Sequence, residues 1–151
     1  MKDLIELRKM SKQFFKIFPK EMFPEMEHKE GRPYAVLLVK ISDIKFAIPF
    51  RTNIRHSYCY KFSSTGRNTK SVTGIDFTKA VVIDSDLLLG EKTNIDNKEF
   101  IELQNKSFFI VKKFKKYVDD YIKFKRFGGN PYVAKRYQYS TLKYFDKILL
   151  K

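Results

Sequence analysis

The sequence predicts an α+β fold: a small twisted antiparallel sheet or partly closed barrel, followed by basic helices. Three observations predict it. Apolar runs and two-residue alternation occupy residues 32–83, whereas helical spacing takes over from Lys98 onward. Ser42-Asp43 joins two apolar runs in the manner of a tight hairpin turn. The chain of 151 residues is long enough to bury a core without disulfides or metal, and residues 1–151 are expected to form one domain.

The elements follow in order. Leu4, Ile5, Leu7, Met10, Phe14, Ile17 and Phe18 recur at roughly helical spacing, which predicts a helix over 1–18 that Pro19 stops. The polar run PKEMFPEMEHKEG over 19–31 is a loop. Arg32–Ile41 reads as a buried strand and Lys45–Pro49 as its hairpin partner. His56, Tyr58, Tyr60 and Phe62 alternate on one face of a third strand. Ser63–Ser71 is a polar loop carrying Arg67 and Lys70. Thr73–Ile83 is a strand pair or one long bent strand, and Leu87–Asp96 is a second loop. Phe100, Ile101 and Leu103 mark a short helix. Ile110, Phe114, Tyr117, Val118, Tyr121 and Ile122 mark a longer one, which Gly128-Gly129-Asn130-Pro131 breaks. Tyr137, Thr141, Tyr144, Phe145, Ile148 and Leu149 give a last helix.

Composition narrows the partners. The net charge is +14, from 31 Lys and Arg against 17 Asp and Glu. From Lys106 to Lys151, thirteen cations face only Asp119, Asp120 and Asp146, a net +10. A domain this basic meets nucleic acid or an anionic surface. Aromatic residues make up 16%, with nine Tyr and no Trp. Tyr and Phe interleaved with cations suit single-stranded RNA, whose unstacked bases lie on exposed rings; filling the core is the ordinary use of each such ring. The lone Cys59 excludes multi-cysteine metal and redox motifs and fits a reducing cytosol. Ala35–Val39 and Ala80–Ile83 fall far short of a membrane span, and MKDLIELRKM lacks the apolar core of a signal peptide. A soluble, intracellular protein is expected.

The end of the second strand gathers the chemistry. Arg51, Thr52, Asn53, Arg55 and His56 place cations, a hydroxyl, an amide and an imidazole within six residues. Breaking RNA without a metal needs a group to take the 2′-OH proton, charge to stabilise the phosphate, and an acid for the leaving 5′-oxygen. His56 is the candidate acid or base, because His28 lies in the solvated run EMEHKE. Arg51 and Arg55 beside it would favour the neutral ring. Arg51 is the candidate phosphate clamp, or a surface salt bridge. Thr52 and Asn53 position phosphate or ribose, or merely form the turn. Lys79 adds charge, and Asp76 would orient a base or pair with Arg51. Arg32 and Lys40 flank the first strand as RNA contacts, with Arg55, Tyr58, Lys112, Lys113, Lys115 and Lys116. Asp84-Ser85-Asp86 lacks a third ligand and reads as a turn rather than a metal site. No metal or other cofactor is expected. The sequence contains no GxGxxG, Walker A, GxSxG or HExxH motif. The main rival reading is a non-catalytic RNA-binding module. A domain that meets a membrane surface or a partner protein through its basic helices is a second.

The stretches RPYAVLLVKI, FAIPFRTNIRHSYCY and GIDFTKAVVI resemble the toxins of type III toxin–antitoxin systems, most closely the TenpN group and more distantly ToxN and AbiQ. The resemblance covers roughly residues 30–125. It implies a compact barrel-like core distantly similar to the Kid and MazF messenger-RNA interferases. It also implies metal-independent endoribonuclease activity at preferred sequences, with 2′,3′-cyclic phosphate and 5′-hydroxyl ends. The implied partner is a small structured RNA antitoxin encoded as repeats, which the toxin processes and which blocks its groove. A multimeric protein–RNA assembly in the bacterial cytoplasm, acting in growth inhibition and phage defence, follows from the same resemblance. ToxN-like relatives end the second strand in a hydroxyl pair followed by a lysine. Here the place reads Arg51-Thr52-Asn53-Ile54-Arg55: Thr52 keeps a hydroxyl, Arg51 replaces the other, and no lysine follows. In the TenpN form the arginine and histidine would take over the charge and proton roles.

Overall fold

The computed structural model describes residues 5–28, 34–67 and 70–151. It is α+β, with a seven-stranded antiparallel sheet and a long helix. Strands β1 (Glu6–Met10), β2 (Ala35–Ile41), β3 (Ile44–Thr52), β4 (Cys59–Lys61), β5 (Thr73–Asp76), β6 (Val81–Val82) and β7 (Leu89–Lys92) lie in the order β4-β5-β3-β2-β1-β7. β6 pairs with the first half of β3, through Phe46 and Ala47, and β5 with its end, through Phe50 to Thr52. The sheet is open, with β4 and β7 at its ends, so the partly closed barrel does not form.

The β2–β3 hairpin turns where the sequence predicted. Ser42 and Asp43 both adopt positive φ (48° and 67°), the conformation of a two-residue turn whose twist matches that of its strands. Phe46 to Phe50 are all buried, so β3 is covered on both faces and reads as a continuous apolar run. Phe46 meets Phe114 of helix α2 (Asn97–Phe127) edge-on at 5.1 Å. Residues of the other parity, Pro49 and Arg51, point to the opposite face.

The predicted N-terminal helix is instead β1 followed by a short helix α1 (Lys12–Ile17). The pairing of β1 with β7 shifts register between Arg8 and Met10. An irregularity of this kind turns Leu7 and Met10, three apart, both inward, which imitates helical spacing. The predicted third strand is limited to Cys59–Lys61, and the predicted loop over 87–96 contains β7. The two helices expected after Lys98 are one 31-residue helix, capped at its start by Asp96, which accepts from Glu99 N–H. It ends at Gly128, whose φ of 79° suits a residue without Cβ. A short helix α3 (Pro131–Arg136) precedes the predicted last helix, which is itself a 3₁₀ turn (Thr141–Phe145) followed by α4 (Asp146–Leu149), with Ser140 capping Leu142 N–H. No helix among the described residues is long and apolar enough to cross a membrane.

Candidate functional site

The site grows from Asp76, the last residue of β5. Arg51 sits opposite Gly74 in the β3–β5 ladder, so Asp76 is its diagonal neighbour on the same face. A Cβ on Gly74 would collide with the Tyr60 carbonyl oxygen, so only glycine lets β4 and β5 approach closely enough here. Asp76 is wholly buried. Its Oδ2 accepts from Arg51 Nη1 at 2.6 Å. Its Oδ1 accepts from Thr78 N–H at 2.9 Å and from Thr78 Oγ1 at 2.6 Å, which caps the 3₁₀ turn Phe77–Lys79. His56 Nε2 lies 3.2 Å from the same Oδ1. That is hydrogen-bond range, yet the ring N–H is misaligned, and buried Nε2 has no aligned partner among the described residues. The contact is therefore electrostatic proximity. Burial alone would push the Asp76 carboxyl up, but His56, Thr78 and Arg51 outweigh it and bring it to about 2.

Arg51 is held from a second side by Glu27, 2.7 Å from its Nε, and its side chain remains 31% exposed. Burial disfavours the cation, but the bond to Asp76 and the charge of Glu27 keep its pKa above the ordinary value. Lys79 lies on the 3₁₀ turn and donates to the Glu25 carbonyl. Burial pushes its pKa down, against the pull of Asp76. Glu25 itself pairs with Lys143, and that bond helps lower its carboxyl. Three cations (Arg51, Lys79, Lys143) thus face three carboxylates (Glu25, Glu27, Asp76). The cluster is balanced, and attraction for a polyanion must come from the rest of the chain. The Tyr34 hydroxyl is buried without a hydrogen-bond partner among the described residues; burial raises its pKa, and Glu27, Arg51 and Asp76 all act on it.

The predicted residues divide. Arg51, His56 and Lys79 are brought together around Asp76, in the pairing role foreseen for that carboxylate. Thr52 is exposed at the end of β3, beside the cluster in sequence but outside its hydrogen bonds. Asn53 (φ 57°) and Arg55 form the exposed turn after it, with Arg55 Nε 3.4 Å from Asn53 Oδ1. Lys40 lies at the far end of the hairpin, opposite Lys45 and paired with Asp43. Six strand residues separate that register from Arg51, about 20 Å, so Lys40 is not part of this site. Arg32 lies outside the described residues. On α2, Lys112 is exposed, Lys115 pairs with Asp119, Lys116 with Asp120, and Lys113 donates to the Cys59 carbonyl. Among the described residues, no group of three His, Cys, Asp or Glu is placed to hold a metal; Asp86 pairs with Lys45, and Ser85 caps the 3₁₀ turn Asp86–Leu88.

His56 is more constrained than a free imidazole. Its Nδ1 accepts from Tyr58 N–H at 3.1 Å while Nε2 faces Asp76, so the neutral ring carries its proton on Nε2. Glu27, Tyr34 and Thr78 were not foreseen. The sequence offers no signal for Glu27, which reaches Arg51 from a loop 24 positions away. Comparison of the chain with protein-family models, with curated proteins and with solved structures yields no match.

Proposed function

We propose that this protein is a sequence-preferring, metal-independent endoribonuclease, the toxin of a type III toxin–antitoxin system, distantly of the Kid and MazF kind. Its partner would be a repeat-encoded small RNA that it processes and that inhibits it in a multimeric assembly in the bacterial cytoplasm. The observation that carries the enzymatic reading is the convergence of Arg51 and His56 on one wholly buried carboxylate at a strand end, with Lys79 near enough to feel its charge. A balanced, hydrogen-bonded cluster of titratable groups with perturbed pKa values is what acid–base chemistry requires. The resemblance of residues 30–125 carries the toxin reading.

In this mechanism Arg51, fixed by Glu27 and Asp76, stabilises charge on the non-bridging phosphate oxygens. A base removes the 2′-OH proton, O2′ bonds to phosphorus, the P–O5′ bond breaks, and an acid gives O5′ its proton. No water is consumed, and the products carry a 2′,3′-cyclic phosphate and a 5′-hydroxyl. Lys79, whose pKa burial lowers, would serve as the base. His56 would act as the acid in its imidazolium form, which gives up the bond from Tyr58 N–H, or hold Asp76 in place. Thr52 would donate to the phosphate from the rim.

The bond from Tyr58 N–H to His56 Nδ1 and the burial of Nε2 against Asp76 favour one alternative, a non-catalytic RNA-binding module in which the Asp76 network is structural. Incubating a mixed RNA pool with the protein in excess EDTA, beside Arg51→Ala and His56→Ala, separates the two. Discrete cuts ending in cyclic phosphate, lost in Arg51→Ala, support the enzyme. Intact but tightly bound RNA supports the module. Cuts that survive both substitutions keep the activity and move its centre elsewhere.

A further inference from the structure

Beside the Asp76 cluster lies a cleft that the proposed cleavage does not use. Three tyrosines wall it, Tyr58 from the approach to β4, Tyr117 from α2 and Tyr137 after α3, and Lys116, Asp120 and Arg136 rim it. Tyr117 and Tyr137 are buried, and Tyr58 is half-exposed. The Arg136 guanidinium lies 5.7 Å from the Tyr58 ring centroid and 6.0 Å from that of Tyr137, within the range of cation–π attraction. Its Nη1 is 3.7 Å from Asp120, and about a third of its side chain stays exposed, 32%. The cleft adjoins the cluster through one side chain: the His56 ring stacks on Tyr58 at 5.8 Å with a 20° tilt.

We propose that this cleft binds one unstacked base of a single-stranded RNA, next to the phosphate held at Arg51. The chemistry fits that ligand. The half-exposed Tyr58 ring and the Arg136 guanidinium over it offer planar surfaces on which any base can stack. The exposed part of the Arg136 guanidinium supplies a donor for a base carbonyl or ring nitrogen, and Asp120 an acceptor for an exocyclic amine. Exposed Lys113 and Lys116, on the same face of α2, flank the path of the backbone. The position of the base relative to the cut rests on the ribonuclease reading; the binding of the base does not.

The test uses the wild-type protein and fluorescent 2′-fluoro hexaribonucleotides, which lack the attacking hydroxyl, with a single abasic site moved through the six positions. Loss of the base at one position is expected to weaken binding ~5- to ~150-fold, the range of a base–aromatic stack. Arg136→Lys keeps the charge and loses the plane. It should weaken the intact hexamer similarly and flatten the abasic profile, with its circular dichroism unchanged. Equal affinity for every abasic oligomer overturns the cleft, as does tight binding of adenosine or uridine monophosphate alone, which would assign it to a free nucleotide. Cleavage of the matching all-ribose hexamer reports the ribonuclease reading separately. An abasic effect without cleavage keeps the cleft and sinks the enzyme, and cleavage without an abasic effect does the reverse.

Discussion

Asp76→Asn removes the charge around which the site is organised and keeps its shape. The oxygen of the new amide could still accept from Thr78, but its nitrogen would turn donors toward Arg51. Breaking a buried ion pair costs ~3–5 kcal/mol. Arg51 keeps Glu27 and part of its exposure, so the expected loss is near the lower end, about 3 kcal/mol. A domain of ordinary stability, ~5–15 kcal/mol, survives that loss. The pH dependence is the sharper signature. The carboxyl lies at about 2 in the folded chain against an ordinary 3.8. A group depressed in the folded state stabilises at pH values above the ordinary one, and that contribution, about 2 kcal/mol, disappears as the pH falls toward 2. Urea unfolding of both proteins at a series of pH values isolates it, because the other carboxylates titrate in each. The stability gap between them should narrow by more than ~1 kcal/mol between about pH 5 and pH 2.5. A gap that stays constant across that range refutes the claim that Asp76 is ionised and paired.

Gly74→Ala drives a methyl group into the Tyr60 carbonyl. It should cost ~1–3 kcal/mol by thermal melting, and an unchanged midpoint would mean that β4 and β5 are not so close. Lys79→Arg keeps a cation but cannot lose its proton at working pH, so the cleavage rate should fall ~10²- to 10⁴-fold. The wild-type rate should rise with pH through a limb below the ordinary lysine range, and that limb should vanish in the variant. Lys112→Gln should reduce the salt slope of single-stranded RNA binding by about 0.7; an unchanged slope removes that exposed lysine from the RNA path.

Much of the core was legible, because burial on both faces of β3 requires an unbroken apolar run, and Ser42-Asp43 suits the positive φ of a short turn. β1 was not. Its irregular pairing with β7 brings Leu7 and Met10 inward three residues apart, a helical signature produced by a strand. β7 has one apolar residue in four and borrows its order from β1. The polar middle of α2 looked like a break because Phe108 and Phe109 are exposed, so the helix runs on without a buried face there. At the site, Arg51, His56 and Asp76 could be picked from one strand end and its neighbour in chain order. Glu27 and Arg136 arrive from distant segments by long-range packing, which no local pattern encodes. Lys40 was misplaced for a simpler reason: flanking a strand says nothing about which end of it meets the site.

The most direct test of the central claim replaces a single ribose. Once a cut has been mapped in EDTA, the same RNA is made with 2′-deoxyribose on the 5′ side of that bond alone. The account predicts that this bond is no longer broken while binding is kept, and that the all-ribose product carries a 2′,3′-cyclic phosphate. Continued cleavage at the deoxy position, or a product ending in 5′-phosphate, would contradict it.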